Sequence, residues 1–240
     1  MRFLPLLQAR ELHFMVQPQL LRLLRGMPGL GQVRDYWTDA ALPPHDVDLE
    51  VMELAYALRA TASCLPPPPS QLAAGLPAAP LQLADDGRLR VGLLWAASAW
   101  DDSRSVPLAT LAPLFALEQV RFHALQQGEA ACDPLLRHFD IARLSPYTAE
   151  VAAAAAVMLK LDLVLGIDAM PAHLAATLGR PTWVLLKHDA DWRWMRGRTD
   201  SPWYPGMRLF RQPRPGDWEA VVDAVAAALV KLAAGVRSPA

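Results

Sequence analysis

The sequence predicts an α/β fold with two parallel sheets in tandem, the first one small. Three observations carry this reading. Short apolar runs alternate with helix-patterned segments, the pattern of a parallel sheet covered on both faces. Two proline clusters, "LPPHD" and "CLPPPPSQLAAGLPAAP", divide the first third from the rest. The chain has 240 residues, 53% of them hydrophobic, which is enough for one large domain or two small ones.

In the first third, "ELHFMV" is a strand and "QPQLLRLLRGM" a helix. "DVDLE" reads as a second strand and "VMELAYALRATA" as a second helix. Pro66 to Pro69 form a stiff polyproline linker rather than helix or ladder strand. The turn-like "ADDG" places a domain boundary near Ala84 to Arg88, giving units 1–85 and 86–240. Beyond it, "RLRVGLLW" is a strand, "PLATLAPLFALE" a helix, "VRFHALQ" a strand and "DPLLRHF" a helix. "TAEVAAAAAVML" is an alanine-rich helix and "LDLVLGI" a buried strand. "AHLAATLG" is a helix ending at Gly179, and "PTWVLL" is another strand. "GDWEAVVDAVAAALVKLAAG" is a closing amphipathic helix with Asp217 placed to cap it. There is no short-period repeat.

Composition excludes several classes. A formal net charge of -1 gives no field to recruit nucleic acid or an anionic membrane. Cys64 and Cys132 are far apart and form no metal or redox motif, so they read as reduced thiols of a cytoplasmic protein. The start, "MRFLPLLQARELHF", is interrupted by charge and does not read as a signal peptide. No apolar run is long enough to span a bilayer; "VAAAAAVML" comes nearest and ends at Lys160. The polar face of the closing helix, with Asp223 and Lys231, carries no basic stripe for a membrane surface. No G-x-G-x-x-G or P-loop lysine motif is present, which argues against dehydrogenase and ATPase versions of the fold.

The most informative stretch is "IDAMPAHLAATLGRPTWVLL", where a buried strand hands over to a helix at Asp168. In doubly wound sheets, ligands bind beyond the carboxyl ends of the strands. The helix that follows offers N–H groups and a positive dipole end, which suit a phosphate. Asp168 is also a natural N-cap, and Pro171 suits a first turn, so capping alone accounts for both. Likewise His173 is either a ligand contact or an ordinary packed histidine.

This stretch resembles the strand–D-T-G-x-x-H-L-A–helix–G-x-P–strand segment of bacterial heptosyltransferases. It resembles more closely the related O-GlcNAc-transferase-like domains often attached to tetratricopeptide repeats. "DADWRWMRGRTDSPWYPGMRLFRQPRPGDW" is similar to the D-W-R-W…R-x-D-S-P-W-Y-P…R-L-F-R-Q…G-D-W signature of that second group. "VGLLWAASAWDDSRSVPLATLAPL" resembles its W-x-G…R-S-x-x-L segment, and "VRFHALQQG" its V-x-F-x-S-L-Q-x-G. The resemblance covers most of Arg88 to Leu229 and extends weakly over Arg2 to Leu24.

The resemblance implies a GT-B-like glycosyltransferase with two Rossmann-like lobes. The C-terminal lobe would hold a nucleotide-diphosphate sugar as donor, with no metal and no further cofactor required. It would pass the sugar to an unknown acceptor, protein or glycan, with a repeat subunit as a possible protein partner. The implied donor site comprises Ser98, Arg104, Gln126, Asp168, Ala169, Met170, His173 and Lys187. The backbone N–H groups of Ala169 and Met170 would meet the diphosphate, and Asp168 would cap the helix. His173 would point toward the ligand, and the final helix would pack back toward the smaller lobe. No residue is assigned as the base.

Several of these residues have plainer roles to weigh. Arg104 can neutralise the diphosphate or pair with Asp101 or Asp102. Gln126 can read base or ribose, or cap a loop. Lys187 can approach phosphate or end a strand in solvent. Trp192, Trp194, Trp203 and Tyr204 read as rings that wedge a long loop onto the body, with Arg193 and Arg196 stacking over them.

The chain departs from the family pattern around the ligand. The family threonine is Ala169, its glycine is Met170, and the first-loop glycine is Ala97. The chain begins inside the expected first helix, so the N-terminal lobe reads as incomplete. An inactive homologue serving as an interaction module or partner subunit is therefore the alternative reading.

Overall fold

The computed structural model describes residues 1–25, 27–38, 43–97 and 101–236. The first third holds β1 (Phe14–Val16), α1 (Leu21–Leu24), β2 (Val33–Asp35) and α2 (Leu54–Ala57). Then follow β3 (Leu89–Leu94), α3 (Ala112–Phe115), β4 (Val120–Ala124), α4 (Leu135–His138) and β5 (Ala142–Arg143). After these come α5 (Val151–Met158), β6 (Leu163–Ile167), α6 (Met170–Thr177), β7 (Thr182–Leu186), β8 (Met207–Arg211) and α7 (Trp218–Val236).

β1 and β2 form a two-stranded parallel sheet, and the other six strands form a parallel sheet in the order β5-β4-β3-β6-β7-β8. The chain fills one side outward from β3, then returns to pair β6 with β3 and fills the other side. The strand order therefore reverses between β3 and β6, where the loops at the strand ends diverge and leave room for a ligand.

Burial on both faces explains the strand sequences. Every residue of β6 and β7 is buried. Alternate residues split between the two faces: Leu163, Leu165, Ile167, Trp183 and Leu185 join one apolar cluster, with Val91, Leu93 and Phe122. Val164 faces a second cluster with α5 and Leu174 of α6, and Val184 and Leu186 face a third around Trp194. The small residues of α5 are buried in the cluster that includes Val164 and Leu161, and Glu150 caps the helix by accepting from the N–H groups of Ala152 and Ala153.

The first third packs on the α5 face. Leu4, Leu24, Met27 and Leu72 share a cluster with Leu125, Leu144, Val151 and Leu161. The final helix lies on the opposite face. Val221, Val222, Val225 and Leu229 of α7 pack into the cluster made by β3, β4, β6 and α3, in which no described residue precedes Leu89. This corrects the expectation that α7 reaches back to the smaller lobe: its apolar stripe is used up by the larger sheet. Asp217 caps it, accepting from the N–H of Ala220 at 3.2 Å.

Other expectations also change. "DVDLE" forms no strand, and its residues are exposed. Val33–Asp35 takes the place beside β1 instead. "VMELAYALRATA" forms only the single turn of α2. β8 lies in the Arg-alternating "MRLFR", an edge strand with its polar side outward. Among the described residues, no helix is long and apolar enough to cross a membrane.

His123 in β4 is 4% exposed, and neither ring nitrogen has a hydrogen-bond partner. Burial pushes its pKa below the ordinary value; Arg121 and Arg90 push the same way, against Asp86 and Asp162. As pH falls, the unfolded chain binds the proton before the folded one, so His123 costs stability as pH drops below about 6.5. We expect wild type to lose stability between about pH 7 and pH 5, where most carboxylates stay ionised, and His123→Leu to flatten that slope. Denaturant midpoints across the window check this; parallel slopes for the two proteins would contradict it.

Candidate functional site

The strand polarity gathers three loops at one end of the sheet. Asp101 and Arg104 follow β3, Asp168 follows β6, and Lys187 to Arg193 follow β7. They wall a cavity of about 230 Å³ lined by Asp101, Arg104, Asp168, Leu185, Lys187, Ala190, Asp191 and Arg193. It sits at the reversal of strand order.

Two cations converge there from separate loops. Lys187 Nζ donates to Asp101 Oδ2 at 3.1 Å and to Ser103 Oγ at 2.8 Å. Arg104 Nε lies 3.4 Å from the same Asp101 oxygen, while its Nη1 donates to the Asp168 carbonyl at 2.7 Å. The hydroxyl of Ser103 also donates to Asp101. These hydrogen bonds, Ser103 first and then Lys187, hold the Asp101 carboxyl below the usual carboxylate range. Arg193 completes the cationic wall and pairs with Asp191 at 3.0 Å.

Asp168 does not cap the helix. The N-cap of α6 is Ala169, in extended conformation and with no side-chain bond to the helix N–H groups. The Asp168 carboxylate instead lies 3.5 Å from His173 Nε2. Burial opposes its ionisation, but His173, the buried Trp194 indole and Arg104 outweigh burial and hold its pKa down. The indole N–H takes part in this without closing a hydrogen bond of normal geometry.

His173 is tied down on three sides. Its Nδ1 is 3.0 Å from Tyr204 Oη, its Nε2 faces Asp168, and its ring stacks on Trp194 at 5.2 Å. Arg2 in turn lies over the Tyr204 and Trp203 rings at 5.3 and 5.8 Å and donates to the Trp203 carbonyl. His173 therefore braces Asp168 rather than lining the cavity.

The other candidates divide. Gln126 is buried, and its amide is fully engaged. Its Oε1 accepts from Trp95 and Ala96 N–H, and its Nε2 donates to the carbonyls of Ala96 and Gln127. It shapes the loop after β3. Met170 is 51% exposed, and neither it nor Ala169 lines the cavity. Ser98 lies outside the described residues. Asp101, Asp191 and Arg193 were not singled out as ligand residues from sequence. "DDSRS" and "DWRW" contain them, but only the fold brings the two loops together.

The aromatic loop behaves as a wedge. Trp194 is buried in the third apolar cluster, and Trp203 Nε1 donates to the Arg193 carbonyl at 3.0 Å. Arg211 clasps the loop by donating to the carbonyls of His188, Trp194 and Met195. Arg193, rather than Arg196, reaches a ring of the loop, lying 6.0 Å from Trp192. Among the described residues, no group of three or more His, Cys, Asp or Glu is placed to hold a metal ion.

Two outcomes follow from this geometry. His173→Ala removes the ring that links the Asp168 carboxylate to the Tyr204 hydroxyl, and should cost about 1–3 kcal/mol of stability. Chemical denaturation checks it, and an unchanged midpoint would contradict the bracing role. Ala169→Thr supplies the missing cap in a compatible extended conformation and should add about 0.5–2 kcal/mol. A raised thermal midpoint is the expected result.

No family model matches the chain. The curated protein FlbA of Caulobacter vibrioides is 36% identical over 81 residues, which are 33% of this chain and 13% of FlbA. E. coli heptosyltransferase WaaC with ADP matches with a TM-score of 0.46 at 18% identity, over 65% of this chain and 46% of that one. A glycosyl transferase family 9 structure from Veillonella parvula gives 0.45 at 12%, over 64% and 47%. The chain thus spans less than half of those two structures and a small part of FlbA. E. coli ADP-heptose LPS heptosyltransferase II matches with a TM-score of 0.55 at 13% identity, over 99% of this chain and 93% of that one. The fold is therefore the one that this heptosyltransferase adopts, an α/β, GT-B-like arrangement of Rossmann-like parallel sheets.

Proposed function

We propose that the cavity binds the diphosphate of a nucleotide-diphosphate sugar and that the chain is a glycosyltransferase-like protein handing that sugar to an acceptor. The convergence of Arg104 and Lys187 from two loops at the reversal of strand order carries this reading. Both cations face one small cavity beside the N-terminus of α6, whose dipole adds positive potential. Transfer breaks the bond between the sugar carbon and the diphosphate oxygen and leaves negative charge on that oxygen. Two fixed cations and a helix N-terminus stabilise such charge as it develops.

The likeness in fold to an ADP-heptose heptosyltransferase supports a donor of this class, and it favours the heptosyltransferase side of the sequence resemblance. Two exposed, unpaired thiols, Cys64 and Cys132, fit a reducing, cytoplasmic setting.

Calorimetry with ADP, UDP and GDP tests the reading. One of them should bind, and Lys187→Ala and Arg104→Ala should each weaken it about ten- to a hundredfold, the size of one charge-assisted hydrogen bond. Absence of binding by every nucleoside diphosphate at millimolar concentration would sink the proposal.

A further inference from the structure

We infer that Asp101 is the internal counter-ion of this cavity: its carboxylate holds the place that an anionic ligand takes, and a ligand must displace it to bind. The inference rests on the diphosphate reading above and adds the residue that sets which anions gain entry.

The charges lining the cavity balance. Arg104, Lys187 and Arg193 face Asp101, Asp168 and Asp191. Two of the carboxylates have structural duties. Asp168 is braced by His173, and Asp191 accepts from the Arg193 N–H at 2.9 Å to cap the turn that starts the aromatic loop. Among the described residues, it is Asp101 that bridges the cations delivered by different strands, at 3.1 Å from Lys187 and 3.4 Å from Arg104.

Like charges do not converge in a partly buried site without an anion between them. In the structure, Asp101 is that anion. Its side chain is 26% exposed and sits at the start of the short Asp102–Arg104 turn, not in a strand or packed helix. It can therefore swing out without breaking the sheet. A carboxylate brings one negative charge and a diphosphate brings two or more, so exchange favours the diphosphate. A weak monoanion gains little by the same exchange. Asp101 thereby lowers affinity for all anions and leaves only the more highly charged ones able to enter.

The test uses the full chain and two probes, ADP and inorganic pyrophosphate, titrated calorimetrically. Asp101→Asn should tighten both by about three- to tenfold, the size of the partly exposed ion pairs released. Asp101→Ser should do the same and guards against a local fault of the amide; thermal unfolding confirms that both variants are folded. Asp189→Asn is the control. Asp189 is exposed, pairs with Arg196 and does not line the cavity, so its screened charge should change affinity less than about twofold. If wild type binds and the Asp101 variants bind no tighter than the control, the counter-ion role is wrong while the diphosphate reading stands. If neither wild type nor the Asp101 variants bind either probe, the diphosphate reading fails and the counter-ion role fails with it.

Discussion

β3 pairs in parallel with β6, although β4, β5 and their helices lie between them in sequence. That pairing reverses the direction in which the sheet grows. It also requires both strands to be buried on two faces, which is why "RVGLL" and "LVLGI" carry almost no polar residue. Gly166 allows the close approach: a Cβ there would lie 3.0 Å from Leu94 Cβ and 3.3 Å from its carbonyl. Because all six strands run the same way, the loops after β3, β6 and β7 emerge together. The cavity exists because of this polarity, and its residues are separated by up to 92 positions in the chain.

Charge and packing then divide the work within the site. Arg104 and Lys187 supply positive charge, and Asp101 keeps them together. Behind them, Asp168 is fixed by an apolar and aromatic support made of Trp194, His173 and Tyr204. Burial of Tyr204 raises its pKa, so its hydroxyl stays protonated and available to His173. Arg2 extends the support to the first residues of the chain through the Tyr204 and Trp203 rings. The first third of the molecule is therefore mechanically linked to the cavity, by side chains that do not themselves line it.

Local chemistry was legible in the sequence where burial is uniform. β3, β4, β6 and β7 are continuous apolar runs that only a sheet covered on both faces accommodates, and the motif at Ile167–Leu186 placed a strand, a turn and a helix correctly. The alanine-rich α5 followed from composition and the capped α7 from its apolar spacing and Asp217, whereas the Glu150 cap of α5 emerged only in the structure. The fold class, the presence of Asp168 and Lys187 at strand ends and of Arg104 in a loop, and the wedge role of the aromatic loop could all be read from one dimension.

What remained was decided by contacts distant in sequence. β8 and β2 are edge or minimal strands, and their arginines mask the apolar alternation. Asp168 looked like a helix cap because the sequence shows only its neighbours in the chain; the structure sets Trp194 and His173 beside it, and the carboxylate turns to them. Gln126 could be read as a ligand contact or as a loop cap, and the loop after β3 closes on its amide. The side on which α7 packs was set by which face of the larger sheet lacked a cover, since the α5 face was already covered by the first third. The sequence alone determined the elements and the positive groups at their ends. Only the tertiary structure decided which carboxylate stands between those positive groups, because that depends on loop geometry and not on spacing along the chain.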